Sequence, residues 1–319
     1  MREFIIKDND AGQRLDKFLQ KAARLLPQSL MYKYLRLKRI KVNGRRSEIS
    51  YRLQPGDKVS LYIGDEFFDS ERPAFYRASP QIRVVYEDEN ILLCDKPQGL
   101  IVHEDEGESV DTLINRVQRY LYDKGEYRPD EEASFAPALC NRIDRNTGGI
   151  VIVAKNAPSL RLLNDCIKNR QLHKFYLCLV KGCPSPRTAT LTHYHIKDQQ
   201  QNRALVYDSP RPGARTMVTH YRVLETKGGY SLVEVELKTG RTHQIRAHLA
   251  YMGWPLVGDG KYADNRKERA LGFTHQALYS YKLIFDFQED CLLSYLNGQV
   301  FQVKDVWFAR DGIPAALTE

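Results

Sequence analysis

Cys140-Asn141-Arg142-Ile143-Asp144-Arg145-Asn146-Thr147-Gly148-Gly149 runs directly into Ile150-Val151-Ile152-Val153. A polar loop in which two arginines bracket one aspartate thus feeds a β-branched apolar run, the mark of a buried core strand. A Thr-Gly-Gly turn makes the join. Flanking cations favour the ionised form of Asp144, and a loop anchored on a core strand is a stiff platform for a reacting group. The same residues also fit an aspartate making only local turn and salt-bridge contacts. The cluster by itself leaves both readings open.

Outward from this strand, similar short β-like runs occur at Ile91 to Cys94, Tyr176 to Val180, Tyr230 to Leu237 and Tyr281 to Phe287. Helical periodicity falls at Val110 to Leu121, Leu160 to Asn169 and His243 to Tyr251. Strands and helices do not alternate as βαβ units. This predicts an α+β chain with a mixed, mainly antiparallel central sheet flanked by helices. Gly125 to Ala136 reads as an acidic loop, and His195 to Met217 as a polar excursion between strands. No Gly-x-Gly-x-x-Gly or Walker loop is present, so nucleotide-cofactor chemistry has no support.

Three further polar clusters accompany the first. Asp95-Lys96-Pro97-Gln98-Gly99-Leu100-Ile101-Val102-His103 is a strand end with a turn. His173-Lys174-Phe175-Tyr176-Leu177-Cys178-Leu179-Val180-Lys181-Gly182 puts Tyr176 inside an apolar strand, where core packing with a paired hydroxyl is the plain expectation. Thr239-Gly240-Arg241-Thr242-His243-Gln244-Ile245-Arg246-Ala247-His248 begins at a strand end and enters a helix. Its Arg241 and Arg246 suit a phosphate or a carboxylate from another segment. His243 and His248 are five apart, not the three or four that stacks ligands on one helical face, and His193 and His195 lack an acidic or cysteine partner nearby. No metal site is expected. The six cysteines are scattered, without a Cys-x-x-Cys pair, and read as free thiols.

The N-terminal fifth differs in charge. Residues 1–63 hold 15 Lys+Arg against 6 Asp+Glu, while the other 256 residues hold 33 against 34, so the whole net charge of +8 lies at this end. A localised basic surface is what a polyanion requires; a solvated basic face is the plain alternative. Leu15, Phe18, Leu19, Ala22 and Leu26 predict one helix, Pro27 interrupts, and Ser29 is placed to cap a second. That second helix packs through Leu30, Tyr34, Leu35 and Leu37, with Lys33, Arg36, Lys38 and Arg39 opposite. Asn43-Gly44 predicts a hairpin turn presenting Arg45 and Arg46. Residues 64–80 read as an acidic linker whose Phe67, Phe68, Phe75 and Tyr76 are expected to pack on the larger domain. No apolar run is long enough to cross a bilayer and no signal peptide is visible, so the expected location is the cytoplasm.

Residues 1–63 resemble the ribosomal-protein-S4-like RNA-binding domain through Arg14-Leu15-Asp16-Lys17-Phe18-Leu19, the helix carrying Ser29 and Arg36, Val42-Asn43-Gly44 and Pro55-Gly56-Asp57. The resemblance implies that Lys33, Arg36, Lys38, Arg39, Arg45 and Arg46 face folded RNA. The four polar clusters, in this order, resemble the RluA-like pseudouridine synthases. The matching stretches are Tyr86 to Glu89 through Lys96-Pro97-x-Gly99-x-x-Val102-His103, Asn141 to Gly149, Lys174-x-Tyr176-x-x-x-Val180-x-Gly182, and Gly240-Arg241-Thr242-His243-Gln244-Ile245-Arg246-x-His248. Two positions depart from the family pattern: Asn141 stands for its histidine and Gly148 for its serine. Asn141 is expected to donate hydrogen bonds around the loop, and Gly148 to loosen it.

The resemblance implies a pseudouridine synthase fold at residues 81–319 and a reaction that breaks the N-glycosidic bond of uridine, turns the base and rejoins it through carbon 5. The product is an isomer, so no cofactor is needed. Asp144 is implied as the essential carboxylate, nucleophile at the anomeric carbon or base at its neighbour. Arg142 helps fill the space left by the flipped base, Tyr176 stacks on that base and can serve in proton removal from carbon 5, and Arg241 pairs with Asp144 and holds it ionised. Arg246 is expected on the RNA-binding side of the site. The implied substrate is structured RNA, large-subunit ribosomal RNA first and transfer RNA second, and a monomer is the default. A non-catalytic RNA-binding or ribosome-assembly factor that keeps the fold is the alternative.

Overall fold

The computed structural model describes residues 1–68, 73–104 and 110–318. Asp69 and Glu71 of the expected linker lie outside the described residues.

The N-terminal part is a three-stranded antiparallel sheet in the order β1 (Arg2–Ile5), β3 (Lys58–Leu61), β2 (Ile40–Val42), with helices α1 (Leu15–Ala22) and α2 (Gln28–Arg36). Leu15, Phe18 and Leu19 are fully buried on one stripe of α1, and each such side chain contributes about 1.5–3 kcal/mol of burial. Pro27, not Ser29, is the N-cap of α2, which has no side-chain cap. Met31 and Leu35 face the core of this part, whereas Leu37 is exposed, contrary to the packing expected of it. Asn43 and Gly44 both take positive φ, as an Asn-Gly turn requires. The Asp57 carboxylate ties this turn down, accepting from Asn43 Nδ2 at 2.7 Å, Tyr51 Oη at 3.0 Å and the Gln54 amide at 2.8 Å.

Between the two parts the aromatic residues divide. Phe68 completes the N-terminal core, whereas Phe75 is buried against Tyr122 and Tyr127 of the larger part. The linker is also not featureless, for Asp65–Phe67 and Ala74–Arg77 are 3₁₀ turns. The acidic loop around residue 131 closes back on the N-terminal part. Asn9 Nδ2 donates to Glu132 at 2.9 Å, Ser134 Oγ to Asp10 at 2.5 Å, and Asn9 Oδ1 accepts the Ala157 amide at 3.0 Å.

The larger part is one eleven-stranded sheet. In chain order its strands are β4 (Val84–Glu87), β5 (Ile91–Lys96), β6 (Ala138–Leu139), β7 (Gly148–Ala154), β8 (Leu172–Lys181), β9 (Thr188–Asp198), β10 (Arg203–Tyr207), β11 (Arg215–Lys227), β12 (Tyr230–Leu237), β13 (Leu278–Phe285) and β14 (Val300–Gln302). Across the sheet they run β10-β9-β11-β12-β8-β13-β7-β5-β4, with β14 beside β13 and β6 beside β7. Helices α3 (Leu113–Asp123), α4 (Ala157–Lys168), α5 (Gln244–Tyr251) and the short α6 (Arg266–Ala270) and α7 (Ala315–Thr318) surround it. Among the described strands of this sheet, every strand–strand pairing is antiparallel except β13 with β7. The expected mixed, mainly antiparallel sheet is therefore present. The polar stretch from His195 to Met217 is not a loose excursion, however, since β9, β10 and the start of β11 occupy it.

The parallel seam positions the loop that precedes β7. Tyr279 pairs with Gly148 and Ser280 with Gly149. A Cβ at Gly149, whose φ is +112°, would lie 2.1 Å from the Ser280 carbonyl oxygen, so the chain crosses here only as glycine. At Gly148 a Cβ would sit 2.4 Å from the Tyr279 ring. Gly148 is buried at the start of β7 and makes room for that ring; it does not loosen the loop. Among the described residues no helix is long and apolar enough to cross a membrane.

Candidate active site

Asp144 stands in a cleft of about 980 Å³ whose walls include Arg142, Lys174, Tyr176, Arg241, His243 and Arg246. The loop carrying it is fastened from three sides. Asn141 Oδ1 accepts the Ile152 amide at 2.7 Å, and among the described residues this side chain acts as an acceptor and not as the expected donor. The fully buried Lys96 donates from Nζ to the carbonyls of Pro97 (3.0 Å), Leu100 (2.7 Å) and Arg145 (2.8 Å). Gln98 Nε2 donates to the Asn146 carbonyl at 3.1 Å and to that of Gln276 at 3.2 Å. Burial pulls the Lys96 pKa down to about 7, yet three acceptors around one nitrogen call for three N–H donors, the ammonium form. The Lys-Pro turn is thus a brace for the residue that follows Asp144.

The ion pair on Asp144 comes from α5. Arg246 Nη1 donates to Asp144 Oδ2 at 2.8 Å, while its Nε and Nη2 donate to Asp259 Oδ2 and Oδ1 at 2.7 and 2.9 Å. The two carboxylates hold the guanidinium protonated, raising its pKa despite burial. Arg241, the expected partner, is turned away: its Nε donates to the Thr216 carbonyl at 3.1 Å. Burial and the nearby Arg215 and Arg170 pull its pKa down. The reason is register on the helix. Arg241 precedes α5 at the end of the β12 turn, whereas Arg246 occupies its first turn and faces the cleft.

Tyr176 lies on β8 opposite Val235 and Ser280, 5% exposed, and burial pushes its hydroxyl pKa up to about 12. It therefore meets the cleft as a neutral phenol. Lys174, two residues away on the same strand face, has its pKa lowered by burial. Arg142 is exposed at the mouth of the cleft. The cleft can hold an anionic carboxylate beside a flat aromatic surface, with a fixed cation behind the carboxylate. That arrangement suits attack on, or proton removal from, a sugar bearing a flipped-out base.

The basic residues of the N-terminal part lie apart from the cleft-lining residues. Lys33, Arg36, Lys38, Arg39, Arg45 and Arg46 are all exposed, and among the described residues none of them has a carboxylate within salt-bridge distance. Sequence reasoning passed over Asp259, Tyr262 and Gln276 and gave Lys96 and Gln98 no role. Asp259 had one signal, a lone acid between Gly258 and Gly260.

The family model for RNA pseudouridylate synthase matches residues 90–251, and that for the S4 domain matches residues 13–59. The chain is 31% identical over 281 residues to an RNA pseudouridine synthase of Bacillus subtilis, YlyB, covering 88% of each. It is 32% identical over 270 residues to the ribosomal large subunit pseudouridine synthase C of Escherichia coli, covering 83% of this chain and 81% of that one. In fold it is similar to human RNA pseudouridylate synthase domain containing 1, with a TM-score of 0.55 at 22% identity, over 77% of this chain and 90% of the other. A carboxylate in a cleft, an arginine locked on it and a tyrosine beside it thus belong to a chain of known kinship, a member of the RNA pseudouridylate synthase family that carries an S4 domain at its N-terminus.

Proposed function

We propose that this chain converts uridine to pseudouridine in the large-subunit ribosomal RNA of the cytoplasm, with Asp144 as the essential carboxylate. The observation that carries the reading is the Asp144–Arg246 pair at 2.8 Å inside the cleft. It keeps an anion where the ribose of a flipped nucleotide would lie. Arg142 fills the vacated stack and Tyr176 carries the base. Residues 1–63 act as the RNA-docking unit, 64–80 as the connector and 81–319 as the catalytic unit. The name of the Escherichia coli relative supports ribosomal RNA over transfer RNA.

The test is pseudouridine mapping of total RNA by carbodiimide-dependent reverse-transcription stops, in cells with and without the gene. The expected result is loss of one or a few ribosomal stops, restored by wild type and not by Asp144→Asn, while the Asp144→Asn protein still binds the RNA. An unchanged map would reject the reading.

A further inference from the structure

His243 opens α5 in the left-handed region, with φ 51° and ψ 27°. A residue bearing a Cβ pays about 1–2 kcal/mol to sit there. Its neighbours tie the backbone down on both sides. His195 Nε2 donates to the Thr242 carbonyl at 3.1 Å. Gln244 Oε1 accepts from the Arg241 amide at 3.0 Å and from the Thr239 hydroxyl at 2.8 Å. Gln244 Nε2 donates to the Val218 carbonyl and the Thr219 hydroxyl at 2.9 and 3.0 Å. The strained turn aims one side chain, and that side chain is only 10% exposed.

The two imidazole nitrogens face different groups. Nδ1 is 3.0 Å from the Tyr262 hydroxyl. Nε2 is 3.9 Å from Asp144 Oδ2, the same oxygen to which Arg246 donates. The Tyr262 oxygen already accepts the Ala204 amide at 2.8 Å, so its own proton is free to go to Nδ1. That donation selects the tautomer with the remaining proton on Nε2, facing the carboxylate. Burial, helped by the neighbouring Arg246 and Lys261 cations, keeps the ring neutral with its pKa lowered to about 4, against the opposite pull of Asp144 and Asp259.

We propose that His243 is a positioning residue: its neutral Nε2–H joins Arg246 in holding Asp144 Oδ2, so that Oδ1 is presented to the ribose. The inference rests on Asp144 being the reacting carboxylate. Among the described residues no side chain donates to Oδ1. At 3.9 Å the histidine contact is longer than a hydrogen bond, and it closes when RNA fills the cleft, as such contacts tighten in substrate complexes. A neutral donor suits this task. It fixes direction without adding a second cation that would stabilise the carboxylate and dull its reactivity.

Two isosteric substitutions separate positioning from packing. Asparagine is at home in the left-handed region, and its amide reaches the Tyr262 side but not Asp144. Glutamine places its amide nitrogen near the position of Nε2. In single-turnover assays on a target RNA fragment, His243→Asn is expected to slow isomerisation about 100-fold, with RNA affinity within about threefold and an unchanged melting temperature. His243→Gln is expected to recover about tenfold of that loss. Tyr262→Phe keeps a packed ring but removes the proton that sets the tautomer, and serves as a second variant with an expected loss of about tenfold. A His243→Asn protein at the wild-type rate, or a His243→Gln protein no faster than His243→Asn, overturns the proposal. Wild-type protein that makes no pseudouridine overturns the reading of Asp144 instead, which keeps the two failures distinct.

Discussion

Asp259, not Asp144, is the principal partner of Arg246. It takes two of the guanidinium's donors, at 2.7 and 2.9 Å, and is 1% exposed, while Asp144 takes one donor at 2.8 Å and stays part-exposed. The bidentate clamp fixes the plane of the guanidinium and so the direction of its remaining N–H. Asp144 then receives a cation it does not have to orient.

This gives the first prediction. Asp259→Asn preserves shape but removes the charge that holds Arg246. Breaking a buried pair from one side costs about 3 kcal/mol, which a urea denaturation series will read as a lowered midpoint at unchanged slope. The single-turnover rate is expected to fall about tenfold or more because Arg246 is no longer aligned. A variant that loses stability but keeps its rate would show that Asp144 aligns the guanidinium unaided.

Gly148 carries the second prediction. The Tyr279 ring stands where a side chain at residue 148 would go, and Tyr279 is itself pinned by donating to Asp95 Oδ1 at 2.5 Å. The serine of the family pattern therefore cannot be restored alone. Gly148→Ser is expected to destabilise the fold by about 1–3 kcal/mol. Adding Tyr279→Leu should return part of that loss, so the pair is non-additive in a double-mutant cycle. Simple additivity would mean that the ring and the glycine are independent.

Acid sensitivity is the third. Burial lowers the pKa of His195, takes that of His243 to about 4 and that of His248 to about 3. Each is below its value in the unfolded chain, so from about pH 6.5 downward the unfolded state binds more protons than the folded one. Stability is full above that pH and declines as pH falls. A buried histidine that stays neutral, such as His248, contributes about 1.4 kcal/mol per pH unit. Between pH 7 and 5 most carboxylates are already ionised in both states, so the slope reports the histidines. Replacing His248 with Gln should flatten it. A slope unaffected by the substitution would place the acid sensitivity elsewhere.

How much of this was legible in the sequence depended on burial. Strands β5, β7, β12 and β13, and the Tyr176 to Val180 part of β8, are mostly buried and stand out as apolar runs. Strands β9, β10 and β11 form one edge with much of their surface in water, and their Thr, His and Arg content hid them. At the site, the clusters around Asp144, Tyr176 and the start of α5 could be read, because polar residues packed between core strands need a reason. Which arginine meets Asp144 could not. It depends on where α5 begins, and that is fixed by Gln244 and the left-handed His243, a conformation that no spacing announces. Asp259 stayed hidden because a tight turn at Gly258 brings it to Arg246. A Cβ at Gly258 would lie 2.2 Å from the His275 carbonyl oxygen, a close approach between segments that the chain order does not reveal.

The last prediction concerns the basic face of the N-terminal part. Arg36, Arg39, Arg45 and Arg46 are exposed, and the turn bearing the last two is held rigid by Asp57. If these residues bind phosphates, each contact releases condensed counterions, and the slope of log affinity against log salt shrinks by about one for each contact removed. Substituting them with Gln in pairs should weaken RNA binding and reduce that slope stepwise. The single-turnover rate at saturating RNA should stay within about twofold, since uniform binding is lost and the cleft is untouched. An unchanged salt slope would place RNA docking on another surface of the protein.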